Sequence, residues 1–242
     1  MKLSIVIPAY NEAGRIEACL ASVFAALRAN ARPDFASEVI VVNNNSSDAT
    51  GELARSAGAQ VIFEPVNHIA RARNAGTAVA TGEWILFLDA DTLLPVETLA
   101  DALVEMQREG VVGGTSILNY GNGRGIGIRV FVFICNFVIR RLKMTAGCFL
   151  FCRAVAFREL GGFNESFYAG EDAEFGKALK RWGRARGLTL SILHRHPPLT
   201  SDRKFHLYGM REILAVITRY LLFPKRTMSD KRYLDVFYDG RR

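Results

Sequence analysis

Two carboxylates separated by one small residue, Asp89-Ala90-Asp91, follow directly on five consecutive apolar residues, Trp84 to Leu88. An apolar run of that length predicts a strand buried on both faces. In open α/β sheets, ligands sit beyond the carboxyl ends of the strands, where side chains converge on a crevice. Acidic oxygens placed there suit Mg²⁺ or Mn²⁺ and could hold such an ion against the phosphates of a substrate. The other reading of Asp91 is a helix cap, because Thr92, Pro95 and the apolar spacing of Val96 to Met106 follow at once. Both readings stay open on these residues alone.

Further acids stand at Glu171-Asp172 and Glu174, at the start of a helix marked by Phe175, Ala178, Leu179 and Trp182. A carboxylate at a helix start is favoured by the macrodipole. His194 directly follows a strand predicted over Thr189 to Leu193 and lies close to Pro197-Pro198, the setting of an ordinary surface histidine.

The elements that must position these groups alternate. Leu3 to Ile7 predicts a strand that stops at Pro8-Ala9-Tyr10-Asn11-Glu12, and Ile16, Cys19, Leu20, Val23, Phe24 and Leu27 have the spacing of one helical face. Glu38 to Val42 and Val61 to Phe63 add strands, with helices over Ala49 to Ala57 and Ala70 to Ala80. This alternation predicts a mostly parallel sheet with helices on both faces, and the polar loops after three strands on one edge. Neither G-x-G-x-x-G nor G-x-x-x-x-G-K-[ST] occurs, so dinucleotide and P-loop readings lose support.

A formal charge of +7 over 242 residues suits an anionic partner without choosing among phosphorylated substrate, lipid headgroups and nucleic acid. No nucleic acid is expected, because basic residues interleaved with aromatics in a recognisable module are missing. The four cysteines lack zinc-ligand and CxxC spacing and read as reduced thiols of a cytoplasmic protein. Leu3 runs into Pro8 without a cleavage-like region, which argues against a signal peptide. Ile126 to Leu142 is apolar all round but is interrupted by Arg129, Asn136, Arg140 and Arg141, and falls short of roughly 18 to 20 unbroken apolar residues. It reads first as a core helix and second as a helix lying in a membrane interface.

Taken together, Ser4 to Glu12, Val41 to Thr50, Ala72-Arg73-Asn74-Ala75-Gly76 and Phe87 to Asp91, followed by Gly161 to Glu165 and Gly170 to Phe175, resemble family 2 glycosyltransferases of the GT-A fold. The resemblance spans roughly residues 3 to 195 in one order. It implies an inverting transfer of a sugar from a nucleoside diphosphate sugar to a saccharide or lipid-linked acceptor, at a hydroxyl or a lipid phosphate. It further implies donor contacts from Pro8, Ala9, Tyr10, Glu12, Asn43, Arg73 and Asp89, and Mn²⁺ or Mg²⁺ held by Asp91, Asp89 and His194. Asp172 would be the general base, with Gly170 and Glu171 on the acceptor side. Asn43 stands where the family commonly has aspartate, which leaves the base unassigned. Thr200 to Lys204 resembles a segment of some bacterial members, from which Arg203 or Lys204 would close over the diphosphate.

The expected organisation is a catalytic domain over 1–199, divided into a nucleotide-sugar half (1–95) and an acceptor half (96–199), and a basic amphipathic C-terminal extension over 200–242. That extension and the 126–142 segment raise a peripheral contact with an anionic membrane at its inner face. The alternative function is a nucleotide-sugar-binding or scaffolding protein without transfer activity.

Overall fold

The apolar runs become the middle of one sheet. The computed structural model describes residues 1–121, 126–203, 219 and 224–229. Through the first half, β1 (Lys2–Ala9), α1 (Ile16–Ala29), β2 (Ala36–Asn43), α2 (Thr50–Ser56), β3 (Gln60–Phe63), α3 (Ile69–Val79) and β4 (Trp84–Leu88) alternate as expected. There follow β5 (Thr92–Leu93), α4 (Val96–Gln107), β6 (Val111–Ser116), α5 (Ile126–Leu142), β7 (Phe149–Arg153), α6 (Ala154–Glu159), α7 (Glu171–Arg184), β8 (Thr189–Leu193), β9 (Leu199–Thr200) and α8 (Pro224–Ser229).

The seven-stranded sheet has the order β3-β2-β1-β4-β7-β6-β8. Only β7 runs against the others, paired antiparallel to β4 and β6. Because β1 lies between β2 and β4, successive connections leave it in opposite directions, which makes the crevice above β1 and β4 the place where a ligand is expected. Alternation along the central strands feeds two cores. Leu3, Ile5 and Ile7 of β1 and Trp84, Leu86 and Leu88 of β4 pack with α1 and α4 on one face. Val6, Ile85 and Phe87 pack with α3, α6 and α7 on the other. All five residues of β4 are buried, as a strand covered on both faces requires.

β6, β7 and β8 complete the same sheet as β1 to β4, so the two expected halves of the catalytic unit share one sheet. A small second sheet, β5 with β9, ties the segment after β4 to the segment after β8, and the Thr92 and Thr200 hydroxyls meet at 2.8 Å. Part of the expected extension returns to this body: the Tyr168 N–H donates to the Met228 carbonyl at 2.7 Å, and Met228 is buried. The amphipathic helix expected around Ile213, Val216, Ile217, Tyr220 and Leu221 lies outside the described residues, as do residues 122–125 of the glycine-rich loop. The core-helix reading of 126–142 needs correction. The helix forms, but among the described residues only its Ile139 is buried, so α5 contributes almost nothing to either core.

Candidate active site

Parallel strands deliver their carboxyl ends to one edge. The Tyr10 to Glu12 turn, the Asn43 to Thr50 loop, Asp89 to Asp91 and His194 all follow strands running in the same direction, while β7 begins at that edge with Cys148 and Gly147 before it. The first two loops are fastened together. The Asn11 N–H donates to Ser46 Oγ at 3.0 Å and the Ser47 N–H to Asn11 Oδ1 at 2.8 Å. The Glu12 N–H donates to Thr50 Oγ1 at 2.8 Å and the Ala13 N–H to Asp48 Oδ2 at 3.1 Å. Burial raises the Asp48 pKa, but bonds from Thr50 and the Ala13 N–H outweigh it and hold the group below its ordinary value.

Pro8 and Ala9, expected to touch the donor, are buried strand residues paired with Val42 and Asn43; partial exposure begins at Tyr10. Asn43 Oδ1 accepts the Ser46 N–H at 3.0 Å, so the amide shapes its own loop. Its neighbour Asn44 is buried, donates to the Glu64 and Val66 carbonyls, and accepts the His68 N–H at 2.9 Å. The sequence offered no sign that Asn44 rather than Asn43 or Asn45 would be the stitching residue.

Arg73 has a different task from the expected contact with a pyrophosphate. It is 2% exposed, and its guanidinium bonds to Glu171, to Asp89 Oδ1 at 3.0 Å and to the Gly147 carbonyl at 3.0 Å. Its Cζ also lies 5.4 Å from the centre of the Phe163 ring. The donors that would reach phosphate are thus committed to acids beneath the crevice. Burial pushes the Glu171 carboxyl up to about 7, while the charge of Arg73 draws it down.

Glu171 and Asp172 open α7 after Gly170, whose φ of 76° is a left-handed turn that glycine adopts without strain. The Thr145 hydroxyl donates to the Asp172 carbonyl at 2.7 Å. A Cβ on Gly147 would stand 3.0 Å from Asp172 Oδ2 and 3.1 Å from Arg73 Nη2, so the glycine lets the base candidate and the buried cation close over it. Cys148, next to Gly147, is half-buried; burial raises its pKa, and the charges of Asp89, Asp91 and Asp172 raise it further. Neither Gly147 nor Cys148 is distinguished by any sequence signal, because the interval between α5 and β7 has no motif.

Arg203 crosses the crevice from β9. Its Nη2 and Nη1 lie 2.7 and 3.2 Å from the two carboxylate oxygens of Glu12, and Nη2 is 3.7 Å from Asp91 Oδ2. Asp89 and Asp91 therefore offer hard oxygen donors, and the pull of Asp91 on a cation is already visible in Arg203. His194 does not join them. Among the described residues no three His, Cys, Asp or Glu side chains gather as metal ligands, and His194 is exposed with Nδ1 3.3 Å from its own strand's Ile192 carbonyl. Two carboxylates without a full protein cage fit an ion that completes its shell with phosphate oxygens and water.

Among known proteins, the glycosyltransferase AglE of Haloferax volcanii is 27% identical over 206 residues, covering 81% of this chain and 66% of that protein. The glycosyltransferase GlyA of Streptococcus pneumoniae is 29% identical over 136 residues, which cover 50% of this chain and 18% of that protein. The chain therefore spans less than two thirds of the length of either relative. The mannosyltransferase PcManGT of Pyrobaculum calidifontis, solved with GDP-Man and Mn²⁺, superposes with a TM-score of 0.70 at 19% identity over 97% of this chain and 68% of that one, which establishes a shared GT-A fold. Residues 4–160 match the family described as Glycosyl transferase family 2, and the chain belongs to that family.

Proposed function

We propose that the protein transfers a sugar, with inversion, from a nucleoside diphosphate sugar to an acceptor hydroxyl or lipid phosphate. The observation that carries this reading is the sharing of Arg73: it bonds to Asp89 and lies beside Asp172, so the acid nearest a leaving diphosphate and the acid suited to deprotonate an acceptor belong to one crevice. PcManGT lends support, since its structure with GDP-Man and Mn²⁺ has the same fold.

In this mechanism Tyr10 and the loop around Asn43 receive the nucleoside, and Glu12 accepts from ribose hydroxyls once Arg203 leaves it. Arg203 exchanges its carboxylate partners for the diphosphate, a bidentate match for a planar guanidinium. Asp172 takes the proton of an acceptor hydroxyl as its oxygen bonds to the anomeric carbon, and the electron pair of the broken glycosyl bond leaves on the diphosphate. Mn²⁺ or Mg²⁺ bound by Asp91, with Asp89 beside it, would neutralise the charge that develops on that leaving group. Gly170 turns the chain into α7 on the acceptor side, while Glu171, buried against Arg73 rather than open to an acceptor, anchors the start of the helix that carries Asp172.

The test is turnover of nucleoside diphosphate sugars with Mn²⁺, after a thermal-shift screen has selected a donor that stabilises the fold. Asp172→Asn is expected to lose about 10²–10⁴-fold in transfer to a hydroxyl acceptor while retaining donor binding. Asp91→Ala is expected to lose the Mn²⁺ dependence of donor binding. Equal turnover in the wild type and both variants would sink the assignment. Donor binding by the wild type without any turnover would favour the scaffolding alternative.

A further inference from the structure

Helix α5 presents an apolar stripe that nothing covers among the described residues. Ile126, Val130, Phe133, Ile134 and Phe137 are 80%, 51%, 71%, 54% and 61% exposed. At about 100° per residue, these five positions fall within an arc of about 100°. Arg129 and Arg140 flank the stripe on one margin, and Arg141 closes its C-terminal end one turn beyond Phe137, all three exposed. Between Glu109 and Glu159 the chain has seven basic residues and no acid. The basic side continues onto α7, whose Lys177, Arg181 and Arg184 are exposed and whose Lys180 Nζ donates to the Leu142 carbonyl at 2.9 Å.

We propose that this face of α5 docks on an anionic phospholipid bilayer, with the helix lying in the plane of the headgroups. An apolar stripe bordered by arginines matches that boundary: the rings and branched chains enter the acyl margin while guanidinium groups meet lipid phosphates. No helix among the described residues is long and apolar enough to cross a membrane, so the contact is peripheral. Charge selects lipid over the other possible occupants. Residues 203–232 of this chain carry eight basic and two acidic residues, so laying them on α5 would set like charges together, and a second copy of α5 would do the same.

The helix that carries this face is tied to the segments that lead into the crevice. Asn136 of α5 accepts the Leu118 N–H at 2.7 Å and donates to the Leu118 carbonyl at 2.9 Å, and beyond the end of α5 the chain passes through Lys143 and Met144 to Thr145, which holds the Asp172 backbone. Docking would therefore bring the acceptor side of the crevice to the lipid surface. The docking itself does not depend on sugar transfer, so it can stand or fall separately from the proposed function.

The experiment is flotation of the full chain with vesicles of phosphatidylcholine alone and of phosphatidylcholine mixed with an equal part of phosphatidylglycerol. The wild type should float with the mixed vesicles and fall off as salt rises. Phe133→Glu with Phe137→Glu should lower partitioning by about a hundredfold, since two exposed rings lose their burial in lipid. Arg140→Gln with Arg141→Gln should lose about fivefold per charge on the anionic vesicles only. Thermal melting and size-exclusion light scattering of each variant separate lost docking from lost fold. The proposal is overturned if the wild type floats no better than the Phe133→Glu, Phe137→Glu variant. It is equally overturned if that variant only converts a dimer to a monomer, or if the wild type floats only after residues beyond 203 are removed.

Discussion

The loops after β1 and β2 are fastened to each other by many bonds through Asn11, Ser46, Asp48 and Thr50, whereas Asp89, Glu171 and the Gly147 carbonyl depend on one guanidinium, that of Arg73. The first arrangement is distributed over several side chain to backbone bonds, from the exposed Ala13 to Asp48 bond to the buried Glu12 to Thr50 bond, where each nets about 1 kcal/mol and the loss of one leaves the rest in place. The second centres on a buried ion pair, in which removing the shared guanidinium takes the cation from Glu171 and one bond from the partly exposed Asp89. The side of the crevice that receives a nucleoside can thus be altered residue by residue, while the side that carries Asp172 holds or fails as a unit.

Arg73→Ala should therefore have the largest effect, a loss of about 3–5 kcal/mol of stability measured by chemical denaturation, because it leaves the buried Glu171 without its cation. A cost no greater than that of a change in the nucleoside-side loops would break the comparison. Gly147→Ala should come next. Its Cβ would press on Asp172 Oδ2 and Arg73 Nη2, so turnover should fall by about tenfold through displaced geometry while the melting temperature changes little. Thr50→Ala should cost about 1 kcal/mol, by leaving the Glu12 N–H without its acceptor, and should weaken donor binding more than turnover.

The smallest effect is a change of slope with pH. Glu171 is raised in the folded state from 4.5 to about 7, so the folded protein holds that proton more tightly than the unfolded chain does. Its contribution to stability is full below pH 4.5 and is lost as pH climbs through about 7. Glu171→Gln should flatten the fall in denaturation free energy across that window. An unchanged slope in the variant would mean that Arg73 keeps Glu171 ionised throughout.

Much of this architecture could be read from residue order. The unbroken Trp84 to Leu88 run marks a strand buried along its whole length, and Thr189 to Leu193 coincides with β8, which the polar His194-Arg195-His196 run closes. Asp89, Asp91, Glu12 and Asp172 were legible as candidates because each follows a strand or opens a helix. Arg73 was legible as important and misplaced in its role, since its position near the start of α3 does not reveal which acids meet it from 98 residues further along. α5 shows the opposite limit: its boundaries matched and its surroundings did not, because periodicity reports a helix without reporting what packs against it.

Local chemistry determined on its own where strands end, where helices begin and which polar residues sit at those junctions, since these depend on neighbours a few residues apart. Partnership was decided only by the folded chain. That one guanidinium joins Asp89 to Glu171, that Gly147 makes room for Asp172, that Arg203 reaches Glu12 and that α5 stays outside the cores all depend on contacts between distant residues. Such contacts follow from how strands order in a sheet, which no short window of sequence encodes.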